Sequence, residues 1–305
     1  MLTVIFGGAG FVGFNIAEAL AARGGEVIVF DRRPPPVSGF SFVAGDVRDP
    51  GSVLRRGVEC VVWGAALTAG ASRDAAEPER ILETNLAALA PVLRLAREAG
   101  VRRVLNLSSV AAYGETMFRE ETLQENAACD PRTLYALTKF ASERLCERLA
   151  ELWSMDIVSA RLSAVFGPWE RASDTRDTPS PFAQLMELAR RGEVARLARP
   201  GLRDWIYAPD VARAVLGLLD APRPEHRLYN IGPGTSFAVL EWARHFPGLQ
   251  CRLCEADETA NVDPGGIRDR APLSIRRLAA ETGFAPGFGI RESAHHLAEW
   301  TKAHA

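Results

Sequence analysis

The chain has 305 residues, of which 47% are hydrophobic and 24% charged, and its formal net charge is -2. This size and composition are typical of one large α/β unit, or of a main domain with a smaller partner. The near-neutral charge argues against a nucleic-acid-binding protein. No apolar run approaches the roughly 18 residues of a membrane span, and Leu2–Phe6 is too short for a signal peptide. We therefore expect a cytoplasmic protein that binds neither nucleic acid nor membrane.

Five cysteines and five histidines are scattered along the chain. An odd number of cysteines without a secretion signal predicts free thiols. Cys251 and Cys254 have CxxC spacing, but no second CxxC and no histidine pair lies near them, and they stand in an alternating stretch typical of a strand. We therefore predict no metal site.

The first predicted elements are a strand, a glycine-rich turn and a helix. Leu2–Phe6 is a short apolar run, and Gly7, Gly10 and Gly13 follow it immediately. In this spacing the first glycine permits a tight turn, the second lets backbone approach a pyrophosphate, and the third lets helix and strand pack closely. A helical pattern follows these glycines and runs through Arg23, so the free N–H groups at the helix N-terminus would face the phosphates. The pattern predicts a dinucleotide site.

A second strand, Glu26–Phe30, ends at Asp31. This acid lies near the offset of about 20 residues at which a carboxylate binds the adenosine ribose diol. Such a carboxylate would repel a 2′-phosphate, so Asp31 favours NAD. Arg32 and Arg33 could soften that repulsion, and NADP therefore stays open.

Further strands and helices alternate along the chain. The remaining strand candidates are Ser41–Ala44, Cys60–Trp63, Arg103–Leu107 and Ile157–Arg161, and the main helices are Pro78–Ala99, Arg132–Trp153 and Pro209–Leu219. This alternation predicts an α/β fold with a doubly wound parallel Rossmann sheet. Ligands then bind at the carboxyl ends of the strands. We place a dinucleotide-binding domain at 1–165 and, interleaved with the last sheet elements, a smaller substrate-binding subdomain at 166–305.

Tyr135 and Lys139 lie four residues apart, so they share one face of the predicted helix. An ammonium beside a phenol favours the phenolate, which would let Tyr135 exchange a proton near neutral pH. Of 36 Lys and Arg residues, only Lys139 and Lys302 are lysine. A lysine at 139 therefore suggests selection for a compact ammonium on a flexible stem.

The ordered set of motifs resembles the extended short-chain dehydrogenase/reductases, and more narrowly the NAD-dependent epimerase/dehydratase family that acts on nucleotide sugars. The glycines, Asp31, "GDV" at 45–47, Ser108-Ser109 and YxxxK carry the resemblance in the first half. In the second half, "RLSAVFGP" at 161–168, "RDWIYAPDVA" at 203–212 and "YNIG" at 229–232 are similar to the family's motifs.

The resemblance implies a role for each matching residue. Tyr135 would be the general acid/base, Lys139 would hold the nicotinamide ribose and lower the pKa of Tyr135, and Ser109 would bind the reacting oxygen. The implied cofactor-binding residues are Gly7, Gly10, Phe11, Val12, Gly13, Asp31, Arg32, Asp46, Val47, Ala65, Ala66, Asn85, Leu107, Tyr135 and Lys139. The implied substrate-binding residues are Thr68, Ser109, Ala164, Arg171 and Arg203, with Arg203 on the substrate diphosphate.

Three departures from the family pattern limit the activity. Val110, Ala111 and Ala112 stand where dehydratases and decarboxylases carry an acid, which disfavours those reactions. Ala164 replaces an asparagine that binds the sugar nucleotide, and Trp63-Gly64 replaces the usual His-Leu.

The charged segment 169–181, which includes Glu170, Arg171, Asp174, Arg176 and Asp177, is expected to border the substrate pocket.

The sequence thus supports three hypotheses. The first is an NAD-dependent epimerase or oxidoreductase of a sugar, most readily a nucleotide sugar. The second is an NAD(P)-dependent dehydrogenase or reductase of a free sugar, sugar acid or other small alcohol, which Ala164 keeps open. The third is a non-catalytic dinucleotide sensor, which has no use for Ser109, Tyr135 and Lys139.

The resemblance further implies a homodimer formed through the helices at 78–99 and 132–153.

Overall fold

The computed structural model describes residues 1–51, 53–68, 70–171, 175, 177, 179–266 and 268–304. Its strands are β1 (Leu2–Phe6), β2 (Glu26–Asp31), β3 (Ser41–Ala44), β4 (Cys60–Trp63), β5 (Arg103–Ser109), β6 (Asp156–Leu162), β7 (Ala164–Phe166), β8 (Ala195–Leu197), β9 (Leu202–Arg203), β10 (Trp205–Tyr207), β11 (Leu228–Ile231), β12 (Phe237–Ala238) and β13 (Cys251–Leu253). Within the described residues no helix is both long and apolar enough to cross a bilayer.

The α-helices are α1 (Phe11–Ala22), α2 (Ala71–Ala76), α3 (Pro78–Leu82), α4 (Leu89–Ala99), α5 (Leu134–Trp153), α6 (Pro181–Arg191), α7 (Ala208–Asp220), α8 (Val239–Ala243), α9 (Arg276–Thr282) and α10 (Ile290–Ala303). A π-helical turn spans Glu83–Ala87, and 3₁₀ turns span Val110–Tyr113 and Glu115–Phe118.

Seven parallel strands form the main sheet in the order β11-β6-β5-β4-β1-β2-β3. Its inner strands are buried on both faces because helices cover each side. One face packs against α1 and α7, and the other packs against α4 and α5. The prediction of a doubly wound parallel Rossmann sheet is confirmed.

The predicted single helix over Pro78–Ala99 is wrong in one respect, because the π-helical turn Glu83–Ala87 divides it. The Ala88 N–H bonds to the Glu83 carbonyl, five residues back. The side chain of Asn85 at the centre of this turn is buried and bonded to the loop after β4. The widened turn therefore delivers a polar side chain to the edge of the sheet where ligands bind.

The last third of the chain forms a smaller layer above the sheet. Short strand pairs β7–β10, β8–β13 and β9–β12 enclose an aromatic core with α6, α8 and α10. Phe166, Phe182 and Trp242 are at its centre, with Phe166 and Phe182 stacked at 3.9 Å between ring centroids. β11 and α7 belong instead to the main sheet and its covering layer. The division at 165/166 stays a prediction, with these two elements interleaved.

Candidate active site

A cleft of about 410 Å³ opens at the carboxyl ends of the sheet strands. It lies where a doubly wound sheet binds its ligand. Most of the residues predicted to bind the cofactor or substrate line it together: Gly7, Gly10, Phe11, Val12, Gly13, Asp31, Arg32, Asp46, Val47, Ala65, Ala66, Thr68, Leu107, Tyr135, Lys139 and Arg171. Four predicted residues, Asn85, Ser109, Ala164 and Arg203, are not in its lining and are described separately below.

The turn after β1 brings two glycines into close backbone contact. Gly7 has φ +75°, and a Cβ there would lie 2.7 Å from the Ala65 nitrogen. A Cβ at Gly13 would lie 2.3 Å from the Gly7 carbonyl oxygen. Only glycine fits at both positions, so the turn packs tightly against β4 and the start of α1 faces the cleft without a side-chain cap. This is a cradle suited to a diphosphate.

Asp31 ends β2 beneath this turn, with its carboxylate fixed by backbone groups. Oδ2 accepts a hydrogen bond from the Ala9 N–H at 3.1 Å, and Oδ1 accepts one from the Arg32 N–H at 2.7 Å. The carboxylate therefore faces the glycine turn, where a ribose diol would need a paired acceptor.

We expect Asp31→Asn to shift cofactor preference from NAD toward NADP by about tenfold or more, equivalent to roughly 1.4 kcal/mol. The variant removes the charge that repels a 2′-phosphate, while Arg32 and Arg33 still line the cleft. Dissociation constants for both dinucleotides, measured by calorimetry, give the ratio. Glu26→Gln, at the far end of the same strand, is the matched control. An unchanged ratio in Asp31→Asn would contradict the assignment.

Asp46 and Val47 follow β3 at the same end of the cleft. The Asp46 carboxylate accepts hydrogen bonds from the Arg48 guanidinium at 2.9 and 3.0 Å. These bonds lower the pKa of Asp46 to about 2, so the carboxylate is ionised at neutral pH. Arg48 also bonds to Glu83 at 3.2 Å, which ties this loop to the π-helical turn.

Tyr135 and Lys139 occupy successive turns of α5, and both line the cleft. Lys139 is 4% exposed, and its Nζ donates to the Leu107 carbonyl at 2.7 Å. The same Nζ lies 5.8 Å from the centroid of the Tyr135 ring. Burial lowers the pKa of Lys139 to about 8 against the opposing charge of Glu143. Lys139 is therefore mostly charged at neutral pH, beside a phenol at the mouth of the cleft.

Ser109 is the last residue of β5 and is partly exposed, one residue beyond Ser108, which lines the cleft. The Ser109 Oγ accepts a hydrogen bond from the Ala111 N–H at 3.2 Å and caps the 3₁₀ turn Val110–Tyr113. A hydroxyl that accepts in this way keeps its own proton available to donate. Its role toward a substrate oxygen stays a prediction.

Asn85 is a buried support behind the cleft. Its Oδ1 accepts from the Leu67 N–H at 2.7 Å, and its Nδ2 donates to the Leu67 carbonyl at 3.0 Å and to Thr138 at 3.3 Å. Thr138 immediately precedes Lys139. Asn85 thus joins the loop after β4 to α5, an arrangement that would order these strand ends, and its assignment to the cofactor site stays a prediction.

The predicted substrate residues lie on several elements. Thr68 and Arg171 line the cleft, and the Thr68 N–H bonds to the Thr175 carbonyl at 2.8 Å. Ala164 begins β7 and pairs with Trp205, whereas Arg203 ends β9. Of the charged segment 169–181, Asp174 and Arg176 lie outside the described residues. The substrate assignments stay predictions.

Two residues of the site were not identified individually by the sequence analysis. Trp169 lines the cleft in the left-handed backbone region, at φ +66°, and its indole N–H donates to Glu18 at 2.6 Å. Glu143 is buried behind Lys139 and pairs with Arg161. The signal for Glu143 was present, because it lies four residues beyond Lys139 on the same helix face. Trp169 begins the segment 169–181 that was expected to border the pocket, but no local pattern identified it individually, because its partners come from distant segments.

Among the described residues, no group of three or more His, Cys, Asp or Glu side chains is placed to hold a metal ion. The glycine cradle, the oriented Asp31 and the Tyr135–Lys139 pair fit a dinucleotide instead. Fold and site together define a Rossmann enzyme of the extended short-chain dehydrogenase/reductase class.

The chain belongs to the NAD dependent epimerase/dehydratase family, whose model matches residues 3–232. It is 28% identical over 258 residues to a UDP-glucose 4-epimerase of Streptomyces lividans, covering 78% of each chain. It is 30% identical over 260 residues to sterol demethylase protein B of Methylococcus capsulatus (strain ATCC 33009 / NCIMB 11132 / Bath), covering 81% of this chain and 75% of the relative. The structure of MoeE5 in complex with UDP-glucuronic acid and NAD superposes with a TM-score of 0.79 at 25% identity, covering 100% of both chains.

Family membership confirms three predictions: the extended short-chain dehydrogenase/reductase resemblance, an enzyme of the epimerase or dehydrogenase type, and NAD as cofactor. In the site described here, Gly7, Gly13 and Asp31 would hold NAD.

Proposed function

We propose that the protein is an NAD-dependent epimerase of a nucleotide sugar, and most specifically of a UDP-sugar at C4. The observation that carries the proposal is the Tyr135–Lys139 pair at the mouth of a dinucleotide cleft, with the ammonium 5.8 Å from the phenol ring. The relatives supply the substrate class, since one is named a UDP-glucose 4-epimerase and MoeE5 is complexed with UDP-glucuronic acid.

In this reaction, bound NAD supplies the acceptor and later the donor of a hydride. Tyr135 takes the proton of the C4 hydroxyl as the hydride leaves, and returns a proton when the hydride comes back to the opposite face of the sugar. The Lys139 ammonium stabilises the phenolate, and the Ser109 hydroxyl donates to the oxygen on which charge develops. Burial of Lys139 strengthens that attraction because little water screens it.

Arg203 provides the charge for the substrate diphosphate. Its guanidinium is partly buried beside the Trp205 ring at 5.6 Å, and its Nε is buried with no hydrogen-bond partner. Burial and the nearby Arg270 and Arg199 lower the pKa of Arg203 to about 10, against the opposing charges of Asp204 and Asp263. Arg270 pairs with Asp204 and Arg199 with Asp269, whereas no described carboxylate forms an ion pair with Arg203. A partly buried cation that forms no ion pair with the carboxylates near it favours an anionic ligand.

Replacing Arg203 by Met should raise the KM for a UDP-sugar by about tenfold or more, with NAD binding unchanged, since a charge-assisted contact is lost. Thermal stability should not fall, because the variant removes a partly desolvated charge that forms no ion pair with a described carboxylate. Initial rates and a melting curve measure both effects. Arg190→Met, on the exposed face of α6, is the control. A lowered melting temperature with an unchanged KM would make Arg203 structural.

The second candidate is a net dehydrogenase or reductase of another alcohol. Ala164 lacks the amide that the family uses on a sugar nucleotide, and one relative bears a sterol demethylase name. The two functions differ in the fate of the reduced cofactor: an epimerase reoxidises it in place, whereas a dehydrogenase releases it.

Denaturing freshly purified protein and identifying released dinucleotide by mass separates the candidates. The proposal predicts close to one NAD per chain, retained through purification. Protein without dinucleotide that reduces added NAD with a free alcohol would favour the dehydrogenase, and retained NADP would contradict the role of Asp31.

On this proposal the protein is a cytoplasmic homodimer. All five cysteines are free thiols, which fits a reducing compartment. Exposed apolar side chains stand on the helices expected at the dimer interface: Leu82 is 43% exposed, Leu137 44% and Leu152 57%. Sedimentation equilibrium measures the mass in solution, and a monomer at micromolar concentration would contradict the dimer.

A further inference from the structure

A buried ion pair lies directly behind the proposed catalytic residues. Glu143 on α5 is 2% exposed and Arg161 on β6 is 1% exposed. The Arg161 guanidinium donates to both carboxylate oxygens, with Nη2 at 2.6 Å and Nε at 2.9 Å. Ser108 on β5 donates to the same carboxylate at 2.5 Å. Two neighbouring strands, β5 and β6, thus each direct a side chain to the single carboxylate of Glu143 on α5.

This carboxylate faces the same side of α5 as Lys139. The two residues are four apart, so their side chains lie on adjacent turns of one helix face, and both are buried. Charges separated by about one helical turn interact far more strongly in the interior than in water. The negative charge of Glu143 therefore acts on the ammonium that adjoins Tyr135.

We propose that Glu143 is a positioning residue that holds Lys139 in its charged form beside Tyr135, through a carboxylate that Arg161 and Ser108 fix in place. The catalytic role of the Lys139 charge rests on the proposed function, in which the ammonium stabilises the phenolate of Tyr135. The ion pair is thereby more than a link between α5 and β6.

The surrounding groups leave Glu143 as the main source of negative charge. Burial raises the pKa of Tyr113 and of Cys146 to about 12, so both are neutral at physiological pH. The Glu125 carboxylate instead bonds to the Asn230 N–H and lies 3.6 Å from Arg277. The titratable or charged groups that face Lys139, or the Glu143–Arg161 pair behind it, come from several elements. They are Tyr135, Glu143, Cys146, Arg161, Tyr113, Glu125 and Cys129.

The sign of the effect follows from this arrangement. Lys139 loses its charge as the pH rises through its pKa of about 8, which burial has lowered. Glu143 opposes that loss. Without the carboxylate, Arg161 would add a repelling charge, and Lys139 would become neutral at a lower pH.

The experiment titrates Lys139 directly. The chain contains only two lysines, so Lys302→Arg leaves Lys139 as the single lysine. Protein grown on lysine labelled with ¹³C at Cε then gives one side-chain resonance, whose shift against pH reports the pKa of Lys139. In this background, Glu143→Gln should lower the proton affinity of Lys139 by about tenfold or more, which is one pKa unit.

Glu147→Gln is the matched control, because Glu147 lies one turn further along α5, has a side chain that is 43% exposed, and pairs with Arg144. It should leave the titration of Lys139 unchanged. If Glu143→Gln does not fold, Glu143→Gln combined with Arg161→Met removes both buried charges and should lower the pKa of Lys139 by less. An unchanged pKa of Lys139 in the folded Glu143 variants would overturn the proposal.

The NMR titration needs neither substrate nor turnover, so it stands even if the epimerase proposal fails. In an active enzyme, Glu143→Gln should also move the alkaline limb of kcat to lower pH by a similar interval. A lower kcat with an unmoved limb would mean that Glu143 supports the fold alone.

Discussion

Replacing Tyr135 by Phe is expected to lower kcat by about 10²–10⁴-fold while NAD stays bound. The variant removes one hydroxyl from a partly exposed ring and leaves Lys139 and its bond to the Leu107 carbonyl in place. The substrate alcohol then has no group to take its proton as the hydride departs. Epimerisation rates, together with NAD content by mass, measure the two effects separately.

Tyr229→Phe is the control for this variant, because the Tyr229 hydroxyl donates to Glu281 in a partly buried pair outside the cleft lining. It should cost stability without changing kcat. Full turnover in Tyr135→Phe would remove the general acid/base from the proposed mechanism.

Replacing Gly13 by Ala is expected to weaken NAD binding by about 10–100-fold, in line with the roughly 1–3 kcal/mol that overpacking costs. The added Cβ would lie 2.3 Å from the Gly7 carbonyl oxygen, so the turn that cradles the diphosphate must shift. Calorimetric titration with NAD gives the affinity, and a melting curve shows whether the sheet is intact.

Gly10→Ala is the graded comparison within the same turn. Its Cβ would lie 3.2 Å from the Gly7 carbonyl oxygen, a tight contact that needs a smaller shift of the turn than Gly13→Ala does. The loss of NAD affinity in Gly10→Ala should therefore be smaller than in Gly13→Ala. If Gly13→Ala bound NAD with native affinity, the close packing of helix and turn would not be required for the cofactor site.

The dinucleotide half of the site could be predicted because its determinants are local. Gly7, Gly10, Gly13 and Asp31 act through turn geometry and strand ends, which short sequence patterns encode. Their roles need no knowledge of distant segments. The cleft residues at the ends of β1, β2 and β4 accordingly lie together in the structure as expected.

The substrate half was less predictable because its determinants are tertiary. The electrostatic environment of Arg203 depends on the ion pairs that its neighbours form. Arg270 pairs with Asp204 and Arg199 pairs with Asp269, and only the folded chain defines these pairs. The helix break at Glu83–Ala87 depends on bonds from Asn85 to Leu67, 18 residues away. Periodicity alone extends such a helix without interruption.

Glu143 is an intermediate case. Its spacing from Lys139 was visible in the sequence, but its significance depends on Arg161 and Ser108, which face each other across β5 and β6. A glutamate on a helix is ordinarily solvated, and only its burial and its two partners distinguish this one.

The most direct test of the central claim is to incubate the purified protein with UDP-glucose, and separately with UDP-glucuronic acid, without added dinucleotide. Proton NMR then follows the sugar, and absorbance at 340 nm (the NADH band) follows the reduced cofactor. The account predicts that the 4-epimer of at least one substrate accumulates to equilibrium with no net rise in NADH. Absence of any epimer from both, with NADH formed only when NAD and another alcohol are supplied, would contradict it.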